Sequence, residues 1–439
     1  MPINVKLFFA AIIGLVASLL TLLPRTANEK IIVSTMFIVA MLTAGRRATL
    51  IVLFLVLRPC LDLIAEQQVA GIWNSASLAT IFFILTAGQA LLRKESIAKI
   101  AANRLILDAN RVFLAFLVLS LISFVNSRDL LTSFSDWLRL VSIIVMFNYA
   151  FLYFSESRAF AKLFIAILLS GVVPLALGMY QYLFYKGNLY TPGFNRIYGT
   201  FLHPNVLAEY LVILFVAVLY FLKEHRSGKS LQLVLYSFLA IALFEIFHTY
   251  TRGAWIALAL SLFVISITYR KHQKIIYFVL ILTVMLVIFP AIQKRFMDIR
   301  AHNPELMSSW EWRLMVWNDT KKEISKHAVI GHGLGMYQKG FTFMAHNDYL
   351  RLAYETGISG LIIYLLFLAT ILGCSIRKIV HEKNKYAKNR YVAISGLMVA
   401  FLVMGAADNL VRSTVVLLYL FCVIGALVGY HPDISHEKS

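Results

Sequence analysis

Cysteine is scarce. Cys60, Cys374 and Cys422 are the only three in 439 residues, and all lie in or beside apolar runs. Without a CxxC pair or a partnering histidine, neither a disulfide framework nor a zinc site is indicated. Histidines outside the main motifs, such as His302, His327 and His332, show no HExxH-like spacing, so no metal is expected. The glycine-rich "GHGLG" at 331–335 follows no strand and precedes no Lys-Ser/Thr, so it reads as a turn, not a nucleotide loop. No convincing Asp-x-Asp motif and no internal repeat is present. Acidic residues are few, 22 against 41 lysines and arginines, for a net charge of +19. Those basic residues sit mostly in short loops between apolar runs, where a bilayer places them, so nucleic acid is not the expected partner.

What the chain has in abundance is apolar surface. Hydrophobic residues make up 60% of it and the mean hydropathy is +0.76, against roughly half apolar for a soluble domain. Runs of about 17–25 apolar residues recur, the length that crosses a hydrocarbon core of about 30 Å. They are too long and too unalternating for barrel strands, so the expected fold is an all-α polytopic membrane protein. Spans are expected near 5–23, 30–44, 48–64, 75–92, 111–125, 138–154, 160–184, 204–222, 231–247, 254–270, 274–290, 358–379, 391–407 and 411–430, about 12–14 in all. The first lacks a small-residue cleavage site and reads as a retained helix.

Alternate loops are basic, among them "GRRAT" at 45–49, "KEHRSGK" at 223–229 and "RKIVHEKNKYAKNR" at 377–390. This places them, with both termini, in the cytoplasm and residues 291–357 outside as one long loop. Within that loop, Asn303, Pro304 and Glu305 form a helix start. Trp310, Leu314, Trp317 and Ile324 then recur at helical spacing, which predicts an amphipathic helix on the membrane surface.

Polar residues collect on this outer side. Arg196 precedes a span, Arg252 opens one, Arg313 lies in the aromatic helix, and His346-Asn347-Asp348 stand just before another. A guanidinium stays charged and grips two oxygens at once, which suits a diphosphate. An arginine at a helix end also snorkels to headgroup phosphates, and position alone does not separate these roles. His346 suits a general base, since an imidazole can take up and release a proton near neutral pH, or a purely structural role. Asp348, Arg351 and Glu355 fall at helical spacing and brace one another. His203 and Asn205 form a second polar cluster at a helix start, with Asn205 and Glu209 either capping or lining a polar cavity. Glu209 and Glu245 would each need a partner inside a span.

"RIYGTFLHPNVLAEYL", "TYTRGAWIALAL", "WEWRLMVW", "GHGLGMY" and "AHNDYLRLAYETGISGL" occur in this order. In that order they resemble the O-antigen ligase family, which shares a domain with O-antigen and teichuronic-acid-type polymerases. The resemblance covers roughly residues 190–370. It implies a GT-C-like membrane glycosyltransferase with N-terminal helices over 1–190, a catalytic region over 191–370 and C-terminal helices over 371–439. By this resemblance Arg196 and Arg252 contact a diphosphate, Arg313 contacts phosphate or sugar, Asn205 and Asn347 join the substrate-binding set, and His346 activates the acceptor. The donor would be a saccharide on undecaprenyl diphosphate. The acceptor would be lipid A–core or another glycan, and no metal or other cofactor would be needed. Thr251 departs from the Ser or Gly that precedes this arginine in many relatives. Ligase and polymerase share the chemistry and are not separated by the residues. A flippase or transporter is the reading from another class, and it calls for repeats and broken mid-membrane helices.

Overall fold

The computed structural model describes residues 47–64, 68–70, 73–187, 195–224, 228–268 and 309–431. The spans expected at 5–23, 30–44 and 274–290, and the helix start at Asn303–Glu305, lie outside the described residues. One short antiparallel pair, Gln68–Ala70 with Trp73–Asn74, occupies the loop before the second helix. The rest of the described secondary structure is helical: α1 Arg47–Leu57, α2 Ser75–Leu91, α3 Lys94–Ala102, α4 Arg104–Ile122, α5 Leu130–Tyr153, α6 Ser157–Leu183, α7 Pro204–Glu224, α8 Lys229–His248, α9 Arg252–Thr268, α10 Ser309–Lys326, α11 Asp348–His381, α12 Lys385–Ala407 and α13 Thr414–Gly429.

Among the described residues, seven helices are long and apolar enough to cross a membrane, α4 to α8, α11 and α12, with shorter apolar helices in α1, α9 and α13. In hydrocarbon every backbone N–H and C=O must be satisfied within its own segment, which is why these runs are helices. This is an all-α, multi-pass membrane protein.

The chain divides into two compact units. The first gathers residues up to Asn103, Val141–Thr249 and those from Thr414 onward. Its axis is α7, buried along most of its length, with Pro204 in the first turn where a missing N–H is harmless. Helices α6, α8 and α13 pack around it. Tyr210 of α7 meets Tyr419 of α13 edge-on at 5.0 Å and shares a 2.7 Å hydrogen bond with Ser170 of α6.

The second unit gathers Arg104–Leu140 and Tyr250–Ser413. Here α12 is central, against α9 and α11, and α4 packs on α11 through Phe113–Phe367 at 4.6 Å and Phe116–Tyr364 at 5.4 Å. Helix α11 begins ten residues before the span expected at 358. Its first turns end at Gly357, whose φ of 76° kinks the helix. The kink leaves the carbonyls of Tyr354 and Glu355 to accept from His332 N (2.9 Å) and Gly333 N (3.0 Å). The "GHGLG" loop is thus docked backbone-to-backbone on the kink. A methyl at Gly331 would lie 2.5 Å from the Glu355 carbonyl, and its φ of 80° already favours glycine.

Helix α10 differs from the surface helix expected from the sequence. It buries Val316, Thr320 and Ile324 against its own protein, while Leu314 is 41% exposed. Ile324 joins an apolar cluster with Met336, Tyr337, Ala345, Ala353 and Tyr354. The spacing of four picks the buried stripe, one that the tryptophan positions do not mark.

Candidate active site

In the second unit the chain reaches α11 through a strained turn. His346 has a φ of 46°, a left-handed value that costs a non-glycine residue about 1–3 kcal/mol. The neighbourhood fixes that turn. Asn347 caps α11, its Oδ1 accepting from Tyr349 N (3.0 Å) and Leu350 N (3.1 Å), and its amide donates to the Ala406 carbonyl at 3.2 Å. Trp317 of α10 donates from Nε1 to the Ala345 carbonyl at 2.7 Å, and the Trp312 ring lies 6.0 Å from the imidazole. So α10 clamps the turn from one side and the end of α12 from another.

The His346 side chain, 23% exposed, places Nδ1 2.9 Å from Asp408 Oδ1. A carboxylate only accepts, so in the neutral ring Nδ1 carries the proton and Nε2 carries the lone pair. Asp408 is itself fixed by accepting from Asn409 N at 2.9 Å. Asp348, the nearer carboxylate in sequence, points inward instead and accepts from Val411 N at 2.9 Å.

Arg252 opens α9 in the same unit. The next residue, Gly253, packs so closely on the end of α12 that a methyl there would lie 2.8 Å from the Ala407 Cβ. The helix start bearing Arg252 therefore abuts the residue preceding Asp408. Tyr250, two residues before the arginine, also has a left-handed φ, 52°. Arg313 stands on α10 beside Trp312 and is half-buried.

Beneath the turn lies a buried charge cluster. Arg351 Nε is 3.7 Å from Glu355 Oε2, as the helical spacing predicts, and both side chains are buried. Arg139 pairs with Asp136 at 2.8 Å, and Arg412 is close enough to act electrostatically on both Asp136 and Glu355. Removing one member of such a set strands a charge in a dry interior, which makes the cluster a rigid floor.

In the first unit Arg196 is held by two acceptors. Its Nε donates to the Thr249 carbonyl at 2.8 Å and its Nη2 to Asn205 Oδ1 at 2.8 Å. The backbone follows suit: Ile197 N donates to the His248 carbonyl at 3.2 Å. Asn205 N in turn is received by His203 Nδ1 at 3.1 Å. Asn205 thus orients the guanidinium, and Asn347 caps a helix; both amides are engaged with protein. Glu209 is buried in α7, and Glu245 is fully buried in α8.

Of the expected site residues, the second unit holds His346, Asn347, Arg252 and Arg313, and the first holds Arg196 with Asn205. Asp408 and Trp312 were not among them. Asp408 carried one signal, a carboxylate directly after the apolar run that ends α12, but its partner lies 62 residues away. Among the described residues, no group of three or more His, Cys, Asp or Glu side chains is arranged to hold a metal ion.

Residues 237–365 match the family described as O-Antigen ligase. The matched segment includes Arg252, Arg313, His346 and Asn347 and stops short of Arg196 on one side and Asp408 on the other. No curated protein matches the chain.

Proposed function

From a chain that carries an O-antigen ligase domain, we propose a membrane glycosyltransferase that moves a saccharide from undecaprenyl diphosphate to an acceptor sugar hydroxyl at the outer face of the inner membrane. The observation that carries this reading is the 2.9 Å contact of His346 Nδ1 with Asp408, which leaves Nε2 as the only ring nitrogen able to take a proton.

The chemistry balances around that nitrogen. His346 Nε2 takes the proton of the acceptor hydroxyl while its oxygen bonds to the anomeric carbon of the donor sugar. The bond from that carbon to the lipid diphosphate breaks, and the diphosphate leaves with the electron pair. Attack from the face opposite the leaving group inverts the anomeric centre. Asp408 stabilises the imidazolium that forms, as an orienting carboxylate does for a general base. Arg252 and Arg196, with Arg313 as a further contact, are assigned to the charge that grows on the diphosphate. Fixed cations suit this task because they need not reorganise as charge develops. A lipid diphosphate needs no proton to leave, so no separate acid enters the scheme, and the arginines are assigned the charge neutralisation. Asn205 and Asn347 act here by holding Arg196 and the His346 turn in place.

The test is transfer by purified protein from a synthetic polyprenyl diphosphate donor. His346→Ala is expected to lower turnover by about 10²–10⁴-fold, the usual worth of a positioned base. Arg252→Ala and Arg196→Ala should lower it as well. Unchanged turnover in the histidine variant removes it as the base. One discrete addition to the acceptor marks a ligase, and a ladder of products marks a polymerase.

A further inference from the structure

On the second unit a cavity of about 130 Å³ opens between the α4–α5 turn and the segment that follows α10. Arg128, Lys339, His327, His332, Asn126 and Tyr354 line it. The half-buried His332 imidazole forms one wall, stacked at 4.1 Å and 6° on the buried Tyr354 ring behind it, and His327 meets His332 edge-on at 4.5 Å. Asn126 is spent on the frame, donating to the Gly331 carbonyl at 2.7 Å.

The charges around the cavity do not cancel. Asp129 accepts from the backbone and hydroxyl of Thr132 and lies 3.3 Å from Lys339 Nζ. Glu323 is taken by Lys326 at 2.7 Å. Arg128 remains: it is exposed, and among the described residues it forms no hydrogen bond or ion pair. A forked cation and a lysine lining one cavity, with imidazole rings in its wall, make a receptor for an anionic group carried on a ring.

We propose that this cavity is a subsite for an anionic saccharide, one bearing a phosphate or carboxylate. Arg128 and Lys339 hold the anion and the His332 imidazole, backed by the buried Tyr354 ring, receives the sugar face. This rests on the glycosyltransferase reading for its identity as part of the acceptor. Tyr354 stands on α11 six residues after Asp348, about 9 Å along the axis at 1.5 Å per residue, and His346 lies in the turn just before that helix. An acidic substituent a sugar or two from the reacting hydroxyl would reach it. The site would make the enzyme select charged acceptor glycans over neutral ones of the same length.

Binding is measured on the full-length protein in nanodiscs of zwitterionic phosphatidylcholine, by calorimetry, with glucose 6-phosphate, glucuronate, glucose and inorganic phosphate as probes. Both acidic sugars are expected to bind, and each more tightly than glucose or phosphate. Arg128→Ala should weaken them about tenfold or more, the worth of a lost charge-assisted hydrogen bond. Lys339→Ala should weaken them further. Arg128 is exposed and, among the described residues, unpaired, so its loss leaves folding intact, which an unchanged melting midpoint confirms. Equal binding of glucose, equal binding of free phosphate, or affinities untouched by Arg128→Ala overturn the proposal. So does loss of glucose 6-phosphate binding in nanodiscs containing anionic phosphatidylglycerol, because the site would then belong to lipid headgroups. His346→Ala must leave these affinities unchanged. Binding that survives while transfer fails, or the reverse, therefore shows which of the two readings has fallen.

Discussion

Proton transfer from a sugar hydroxyl needs a ring nitrogen that carries no proton and faces the substrate. Asp408 selects that nitrogen in His346 by accepting from Nδ1 at 2.9 Å. Asp408→Asn keeps the shape and removes the selection, since an amide can present a donor to Nδ1 and favour the other tautomer. The expected result is a fall in kcat of about 10²–10⁴-fold with KM little changed, because the interaction matters once charge forms on the ring. Steady-state transfer at saturating donor measures it, and an unchanged kcat would reduce Asp408 to a structural role. A second residue gives a pH signature. The backbone and hydroxyl of Thr132 hold the Asp129 carboxyl below the usual carboxylate range. With the folded pKa depressed, the unfolded state binds more protons in between, so the stabilisation is full above the unfolded value of about 3.9 and is lost as pH falls through the folded one. Melting curves of wild type and Asp129→Ala should differ at pH 7 and converge towards pH 3. A gap that persists in acid would mean the carboxylate charge is not what stabilises that turn.

The α11 kink is the element on which the 331–335 loop rests. Gly357 has a φ of 76°, and a methyl there would strike the Val329 carbonyl. Gly357→Ala combines a left-handed alanine, costing about 1–2 kcal/mol, with a backbone clash that nothing flexible can relieve. A lowered melting midpoint and weakened transfer are expected together, because the docked 331–335 loop must shift with the helix. A midpoint equal to wild type would show that the loop does not depend on the kink. Legibility followed the same physics. The apolar runs placed the helices, within a few residues at Pro204–Glu224 against 204–222 and Lys229–His248 against 231–247, because hydrocarbon leaves an apolar run no other choice. Helices also extend into polar flanks: α4 at Arg104 and α5 at Leu130 begin seven and eight residues before the runs expected from 111 and 138. Helix α11 escaped at its start because its first turns are amphipathic and polar, and only the φ of Gly357 divides them from the span. The buried face of α10 escaped because tryptophans advertise hydrophobicity without saying which partner covers it. His346, Arg252 and Arg196 were legible as costly polar residues beside spans, whereas the Asp408 contact is tertiary and no local spacing encodes it.

Across the whole molecule, charge is arranged by sign and by depth. In the second unit the buried acids Asp136, Asp348 and Glu355 are matched by Arg139, Arg351 and Arg412. The excess of basic residues instead falls at exposed helix ends and turns, such as Arg377, Lys378, Lys383 and Lys385 around the 382–384 turn between α11 and α12. In short loops that excess is what fixes orientation, whereas a long loop crosses regardless of its charge. The 382–384 turn and the basic helix ends beside it should therefore be cytoplasmic, and α10, which precedes the span by way of the His346 turn, should be outside. Two exposed positions report on this, Ser325 at the end of α10 and Lys383 in the basic loop. Cys60 and Cys422 are buried, so a Cys374→Ser background is the only silencing the described cysteines require. In spheroplasts a membrane-impermeant maleimide should label Ser325→Cys at once and Lys383→Cys only after permeabilisation. The reverse pattern would put His346 on the cytoplasmic face. The base would then be on the wrong side of the membrane for any donor presented outside, and the proposed transfer would fail on topology alone.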